Sequence, residues 1–236
     1  MAKQYSQKET IDTLKKDLAE DVSQLYKSDF VKWKGKTPEG IYYSELIAEE
    51  LLGSLDKFDK IPRITRNSSY KVQSHKVIVI NSESERHEDI FAKSLFGLEF
   101  KELGKIIDYQ IPIRNTSNDK GFKGFDLLSY NKADNSYYLI ELKYDKNKET
   151  LLRAMLECYT YFKVIDHDKL IFDYSDEISV NDSIKIKPVV LLVGQCNSYN
   201  EFRDLDSKDR HHLKDLSLAL GIKFVAWDFS PIISNT

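Results

Sequence analysis

Apolar runs in the second half of the chain predict its β-strands. Residues 187–194 read KPVVLLVG, a continuous apolar run that is typical of a strand covered on both faces. Residues 125–128 and 137–140 are rich in aromatic and aliphatic side chains, and the turn-forming cluster 131–136 separates them. This pattern predicts a β-hairpin.

Helical spacing of apolar residues predicts helices between these strands. The strongest helix is predicted over residues 149–165, with apolar positions at Leu151, Leu152, Met155, Leu156, Tyr159 and Phe162. The predicted order is helix 84–97, strands 105–113, 124–130 and 137–144, helix 149–165, strand 187–194, helix 209–220 and strand 222–227. Such an order predicts an α/β fold over residues 77–236, with a mixed β-sheet flanked by helices.

An N-terminal helical extension is predicted over residues 1–76. Ser6 and Glu9 fit a capping box, and a narrow apolar stripe follows at Ile11, Leu14, Leu18, Val22 and Leu25. A second helix is predicted to begin near Thr37 and Pro38. A narrow stripe packs either on the core of its own chain or on a partner helix, and the second alternative would give a homodimer through these helices.

Candidate chemistry lies on the two strands of the predicted hairpin. In an extended strand, Glu141 and Lys143 point to the same face and Leu142 points to the other. Pairing of the strands could bring Asp126 alongside Glu141. Two carboxylates at one point repel each other, and a hard divalent cation such as Mg²⁺ relieves that repulsion. The alternative is a turn aspartate beside a solvated surface ion pair.

Glu88 is a candidate third acid on the preceding helix. Residues 82–85 fit a capping box that opens this helix, and Glu88 falls on the same stripe as the apolar residues Phe91 and Leu95. Its carboxylate is therefore expected to point toward the core, where an unpaired charge is costly. The alternative is a first-turn acid that complements the helix dipole.

The residues from about 80 to 230 resemble the PD-(D/E)xK nuclease superfamily, which has a restriction-endonuclease-like fold. That family combines an acid on the first helix, a strand aspartate and an (D/E)xK strand, and its pattern matches Glu88, Asp126, Glu141 and Lys143. The aspartate here follows Gly124-Phe125 instead of a proline. This resemblance implies a restriction-endonuclease-like mixed sheet with the predicted helical extension attached.

One branch of the family, similar to the RecB nucleases, adds a Gln-x-x-x-Tyr motif on the following helix. This chain carries Glu157 and Tyr161 there, with glutamate in place of glutamine, so both are candidate accessory residues. A plain salt bridge between Arg153 and Glu157, spaced i,i+4, is the favoured interpretation of that glutamate.

The resemblance also implies a role for each residue. Asp126, Glu141 and the backbone carbonyl of Leu142 would hold Mg²⁺ or Mn²⁺, and Glu88 would act through a water or a second ion. Lys143 would orient the attacking water or help to deprotonate it. The implied function is a metal-dependent nuclease, a DNA endonuclease of restriction or repair type. The alternative is a catalytically inactive nucleic-acid-binding or interaction protein that keeps this fold.

Local charge predicts a second contact with nucleic acid. The formal net charge is −3, which disfavours a general nucleic-acid coat protein. Residues 57–76 nevertheless contain six basic residues and only one acid, Asp59. The basic residues are Lys57, Lys60, Arg63, Arg66, Lys71 and Lys76. Lys120 and Lys123 could extend a path for phosphates toward Asp126. The alternative for residues 57–76 is a solvated linker.

Composition sets the remaining limits. A chain of 236 residues that is 41% hydrophobic can bury a sizeable core. Its apolar runs are far shorter than the roughly 20 residues needed to span a bilayer, and no apolar signal segment follows Met1. Cys158 and Cys196 share no metal-ligand spacing and suggest a reducing compartment. We therefore expect a cytoplasmic protein with no membrane partner.

Overall fold

A six-stranded mixed β-sheet organises the chain in the computed structural model, which describes residues 4–72, 75, 86–115, 122–177 and 184–228. Its strands are β1 (Glu99–Phe100), β2 (Gly104–Pro112), β3 (Gly124–Asn131), β4 (Ser136–Tyr144), β5 (Lys185–Val193) and β6 (Lys223–Trp227), in that order across the sheet. Strands β1 to β4 pair antiparallel, whereas β4, β5 and β6 pair parallel. The predicted mixed sheet and the predicted hairpin of β3 and β4 are therefore confirmed.

Helices connect the parallel strands and cover the sheet. The described α-helices are α1 (Gln7–Glu20), α2 (Tyr43–Leu52), α3 (His87–Ser94), α4 (Leu151–Val164), α5 (His167–Asp173), α6 (Asn197–Arg203) and α7 (His211–Ala219). Helices α4 and α5 form the crossover from β4 to β5, and α6 and α7 form the crossover from β5 to β6, as parallel pairing requires. Of the helices that the structure describes, none combines the length and apolarity that crossing a bilayer requires.

Different helices cover the two faces of the sheet. On β4, Leu139 belongs to the hydrophobic cluster that includes α4, whereas Leu142 belongs to the cluster that includes Phe91 of α3. Side chains alternate along a strand, so Glu141 and Lys143 share the α4 face with Leu139. The predicted orientation of the Glu141-Leu142-Lys143 segment is therefore confirmed.

The beginning of β3 is fixed by a close approach to β2. A Cβ atom on Gly124 would lie 2.3 Å from a main-chain carbonyl oxygen of β2, so no larger residue fits there without a shift. The register of β3 and β4 pairs Leu127 with Ile140. This is the last pair of the ladder, and the next residue of β3, Asp126, bonds to β4 through its side chain, which accepts the Leu142 N–H.

Two predicted helix boundaries differ from the structure. Thr37 and Pro38 do not begin the second helix, because residues 36–42 form a tight loop closed by an antiparallel bridge between Lys36 and Tyr42, and α2 begins only at Tyr43. The helix predicted to open at 84 is described from His87. Its predicted capping box at 82–85 lies outside the described residues.

The apolar stripe of the N-terminal extension lies in the main hydrophobic cluster of the chain. Its fully or nearly buried members are Leu14, Leu18, Val22 and Leu25. The α-helix ends at Glu20, and the stripe continues through a 3-10 helix, Val22–Lys27. These side chains pack on their own chain, so a homodimer would have to use other faces of the helices. The homodimer and the domain boundary at residue 76 stay predictions.

Candidate functional site

Asp126, Glu141 and Lys143 lie together at the open end of the β3–β4 hairpin, away from its turn. The main-chain N–H of Leu142 donates a hydrogen bond to Asp126 Oδ2 at 2.7 Å. Lys143 Nζ donates to Glu141 Oε1 at 2.8 Å, and both residues are buried, with 3% and 5% of their surface exposed. The hairpin therefore places two carboxyl groups and one ammonium on a single face of the sheet.

Glu88 reaches the same place from α3. Its Oε2 accepts hydrogen bonds from the main-chain N–H of Tyr144, at 3.2 Å, and from Asn147 Nδ2, at 3.0 Å. Tyr144 is the last residue of β4, so the glutamate sits where the strand leaves the sheet. Glu88 is half-buried although it lies in the first turn, and burial raises the pKa of its carboxyl group while Lys143 opposes this effect.

Glu157 and Tyr161 lie beside this group on α4. Glu157 Oε2 is 3.4 Å from Lys143 Nζ, and Tyr161 Oη donates to Glu157 Oε1 at 3.2 Å. The expected salt bridge between Arg153 and Glu157 is wrong, because Arg153 pairs instead with Glu149, at 2.8 Å. Glu157 is buried, and both Glu157 and Arg153 line the cavity described below.

Lys143 is the shared cation of three carboxylates. Its Nζ atom lies 2.8 Å from Glu141, 2.8 Å from Glu149 and 3.4 Å from Glu157. Burial lowers the pKa of Lys143, but the surrounding carboxylates outweigh burial and raise that pKa well above its ordinary value. The side chain is therefore a stable ammonium, which disfavours the predicted role of Lys143 in deprotonating water and favours its role in orienting it.

The two hairpin acids, Asp126 and Glu141, have pKa values above their ordinary range. Burial, followed by the charge of Glu88, raises the pKa of Asp126 to about 8. Burial also raises the pKa of Glu141 well above its ordinary value, although Lys143 opposes this effect. Glu149 behaves differently: burial raises its pKa, but Lys143 and Arg153 outweigh burial and lower it overall.

The oxygen-rich donor set is of the chemical type that a hard divalent cation prefers, although the ligand oxygens of Glu88, Asp126 and Glu141 do not all lie within 4.8 Å of one another. Glu141 Oε2 is a buried oxygen with no hydrogen-bond partner among the described residues, which is costly for a carboxylate. Asp126 accepts the N–H of Leu142, the residue after Glu141, and Glu88 lies close enough to raise the pKa of Asp126 by its charge. A cation ligated by oxygen would satisfy the orphaned atom and relieve the mutual repulsion of the acids.

These residues line one cavity of about 950 Å³. Its carboxyl side chains are Glu88, Asp89, Asp126, Glu141, Asp145, Glu149 and Glu157, and its cationic side chains are Arg86, Arg114, Lys123, Lys143, Lys146 and Arg153. The acids outnumber the cations by one, and the most buried acids are Glu141 on the hairpin and Glu157 on α4, whereas Lys123 and Lys146 are exposed at the rim. An acidic floor with a basic rim suits a cation and an anion bound together.

Two lining residues have unusual backbone conformations. Gln110 in β2 has φ +49° and Asp145 just after β4 has φ +48°, although neither is glycine. Such conformations cost free energy and tend to occur at functional sites. The sequence carries no signal for either, because an isolated glutamine in a strand and an aspartate after one look ordinary.

The described basic residues of the segment 57–76 do not line the cavity, although Arg66 contacts the lining residue Arg114. Among the described lining residues of the cavity, Lys123 is the only predicted nucleic-acid contact, and Lys57, Lys60, Arg63, Arg66 and Lys71 are absent. Lys71 pairs with Asp176 at 2.7 Å and with Glu177 at 2.6 Å, and Arg66 donates to the Arg114 carbonyl. Lys76 and Lys120 lie outside the described residues. A role for this segment in binding nucleic acid stays a prediction.

Several cavity residues were not predicted as site residues. Glu149 and Arg153 flank the beginning of α4, and the cationic rim includes Arg86, Arg114 and Lys146. The i,i+4 spacing of Glu149 and Arg153 was the available signal, but it also describes ordinary surface pairs. The rim residues belong to separate segments, so only the folded chain brings them together.

A second cluster of candidate metal ligands has a structural explanation. Glu45, His211 and His212 offer ligand atoms within 4.8 Å of one another. Both oxygens of Glu45, however, accept main-chain N–H groups at the beginning of α7, from His212 and Leu213, each at 2.9 Å. The buried glutamate therefore caps α7 and packs it on α2, and the positive end of that helix disfavours a cation there.

Comparison of the chain with protein-family models, with curated proteins and with solved structures finds no match.

Proposed function

We propose that the protein is a metal-dependent nuclease that hydrolyses phosphodiester bonds, with DNA as its substrate and a restriction-endonuclease-like fold. One observation carries the proposal: the carboxyl groups of Asp126, Glu141 and Glu88 and the ammonium of Lys143 meet in one cavity with a basic rim. The four residues come from one helix and two paired strands, the same elements that the PD-(D/E)xK pattern requires.

The proposed metal ligands are Asp126, Glu141 and the backbone carbonyl of Leu142. The unpartnered Oε2 of Glu141 supports this choice, and Glu88 would act through a water or a second ion. Mg²⁺ or Mn²⁺ bound there would supply Lewis acidity and a water of lowered pKa. The hydrogen bond from the Leu142 N–H holds Asp126 in place before any ion binds, because it fixes one carboxylate oxygen to the neighbouring strand.

Lys143 would orient the attacking water and stabilise negative charge on the transferred phosphoryl group. Its raised pKa keeps the side chain cationic, and its burial strengthens electrostatic interactions with any group that enters the cavity. Glu157 and Tyr161 would position Lys143, since Glu157 contacts its ammonium and Tyr161 holds Glu157 by a hydrogen bond. The hydrolysis then needs no covalent intermediate with the protein.

The basic rim supports a polyanionic substrate. Arg114, Lys123 and Lys146 line the cavity outside the hairpin carboxylates, where they could bind phosphates on either side of the scissile bond. Arg114 is itself held in place, because its Nε donates to the Phe122 carbonyl at 2.7 Å. A cytoplasmic location fits such a substrate and stays part of the proposal.

A panel of nucleic acids tests the proposed function. Purified protein is incubated with plasmid, linear, single-stranded and branched DNA and with RNA, each with Mg²⁺, Mn²⁺ or EDTA. We expect cleavage of DNA that requires the metal and that Glu141→Gln abolishes while Asp12→Asn, an exposed acid on α1, keeps it. A folded wild type that binds DNA but cleaves none of these substrates would favour the catalytically inactive binding protein.

A further inference from the structure

Glu149 bridges the two cations nearest the hairpin acids. Its Oε2 lies 2.8 Å from Lys143 Nζ, and its Oε1 lies 2.8 Å from Arg153 Nη1. One carboxylate thus joins a buried ammonium to a guanidinium inside the cavity. A phosphate group could pair with the same two cations in the same way, because it also carries several anionic oxygens.

We propose that Arg153 binds a phosphate of the substrate and that Glu149 occupies this position in the substrate-free protein, leaving it when the substrate binds. The inference rests on the proposed function and adds to it a phosphate-binding residue and an internal competitor. Neither residue belongs to the pattern of acids and lysine from which the nuclease function is inferred.

The main chain of Glu149 is fixed, so only its side chain has to move. Its N–H donates to Asn147 Oδ1 at 2.8 Å. Its carbonyl accepts hydrogen bonds from Ser198 Oγ at 2.7 Å and from Asn197 Nδ2 at 3.2 Å. The side chain is 22% exposed, and its buried Oε2 contacts Lys143 as an ion pair without a hydrogen bond, so rotation about the side-chain bonds can release this oxygen toward solvent.

Arg153 has an unused donor at this position. Its Nε atom is buried and has no hydrogen-bond partner among the described residues, although Nη1 is paired with Glu149. A buried unpaired donor is costly, and a guanidinium presents a fork of donors that matches two phosphate oxygens. Helix α4 holds the residue in place, because the Arg153 N–H donates to Thr150 Oγ1 at 3.2 Å.

Competition follows from charge. A phosphodiester in the cavity would repel the Glu149 carboxylate and would compete with it for Lys143 and Arg153. Substrate binding therefore has to displace Glu149, and the apparent affinity is reduced by the fraction of molecules in which the carboxylate blocks the position. Removing the negative charge of Glu149 should strengthen binding, whereas an ordinary helix-stabilising pair would give no such gain.

Binding of a fluorescein-labelled oligodeoxynucleotide, as single strand and as duplex, tests this. Fluorescence anisotropy is measured with Ca²⁺, and gel electrophoresis verifies that the probe stays intact. We expect Glu149→Gln to bind roughly fivefold tighter than wild type or better. Arg153→Ala should bind more weakly than wild type, and the gain from Glu149→Gln should be smaller in the Arg153→Ala background, where only Lys143 is freed. Glu20→Gln is the matched control, because it removes one acid of an exposed i,i+4 pair on α1 and should equal wild type.

The outcomes separate this inference from the proposed function. Equal affinities of Glu149→Gln, Glu20→Gln and wild type would overturn the inference and leave the nuclease proposal standing. An absence of binding by every variant, with Mn²⁺ still raising the melting temperature, would contradict both. If thermal melts show that Arg153→Ala fails to fold, Arg153→Gln takes its place, and a tightening by Glu149→Gln that is undiminished without the guanidinium would also overturn the inference.

Discussion

Asp126 on β3 accepts a hydrogen bond from the main-chain N–H of Leu142 on β4, at 2.7 Å. This bond connects the lone aspartate to the middle of the Glu141-Leu142-Lys143 segment, so the two parts of the motif are held together by the hairpin itself. The side chain of Leu142 packs on the opposite face of the sheet. Packing of Leu142 on one face of the sheet and the contact between Glu141 and Lys143 on the other therefore hold this segment in place.

Metal binding should stabilise the wild-type protein through Asp126. Mn²⁺ at about a hundred times its dissociation constant should raise the free energy of unfolding by roughly 2.7 kcal/mol, because it binds the folded state preferentially. Asp126→Asn should gain much less. Thermal melts with EDTA and with titrated Mn²⁺ measure the shift, and Asp12→Asn, an exposed acid on α1, serves as control. Equal shifts in wild type and Asp126→Asn would show that Asp126 is no ligand.

The stability of the metal-free protein should fall as the pH rises. The pKa of Asp126 is raised from 3.8 to about 8 by burial and by Glu88, so the folded state keeps a proton that the unfolded state loses. The stabilising effect is full below the unfolded pKa and disappears as the pH passes the folded pKa. Between about pH 5 and about pH 8, this group should cost the folded state on the order of 3 kcal/mol.

Urea unfolding in EDTA over that pH range measures the effect. Asp126→Asn cannot titrate, so its stability should decline less than that of wild type, and the difference between the two proteins should grow with pH. Parallel pH profiles for wild type and Asp126→Asn would mean that the carboxyl group is solvated in solution. They would also remove the electrostatic reason for a cation at this place.

Lys143 should be essential for the stability of the metal-free fold. Lys143→Met keeps most of the side-chain volume but leaves Glu141, Glu149 and Glu157 without their shared cation. Removing one partner of a buried pair costs about 3–5 kcal/mol, so we expect a loss of that size near neutral pH and a smaller loss in acid, where the carboxyl groups take up protons. Lys143→Arg keeps the charge and serves as control. Unchanged urea midpoints for Lys143→Met would contradict the buried position of the ammonium.

The rim and the basic segment should differ in their effects on DNA binding. Reversing Lys123 and Lys146 at the cavity rim should weaken binding and lower the slope of log affinity against log salt by about 1 for each lost phosphate contact. Reversing Lys60 and Arg63, which lie outside the lining of the cavity, should change the slope less. Anisotropy titrations at several salt concentrations compare the two pairs. A larger effect of the second pair would assign DNA contact to the basic segment.

The sequence was sufficient to predict five of the six strands, β2 to β6, but not the whole site. Continuous and alternating apolar runs marked β3, β4 and β5, because the burial of a strand shows directly in its side chains. The short elements β1, α5 and α6 were not predicted, since two to seven residues give too little periodicity.

Tertiary packing explains the misassigned contacts. Glu157 looked like a surface partner of Arg153 on helical spacing alone. In the fold, Glu157 pairs with Lys143 of β4. Arg153 pairs instead with Glu149, which lies in the loop before α4. Similarly, Lys71 looked free for phosphate in a basic stretch, but Asp176 and Glu177, about a hundred residues later, neutralise it. Local charge counts cannot include partners so distant along the chain.

Cleavage of DNA by wild type and by Glu141→Gln, each measured in Mn²⁺ and in EDTA, tests whether Glu141 holds the metal of a nuclease site. Glu141→Gln keeps the size and the hydrogen-bonding oxygen of the side chain that faces Lys143 but removes the negative charge proposed to hold the metal. We expect cleavage by wild type in Mn²⁺ alone and at least a hundredfold loss, on the order of 3 kcal/mol, in Glu141→Gln. Equal, metal-dependent cleavage by both proteins, with both folded, would contradict it.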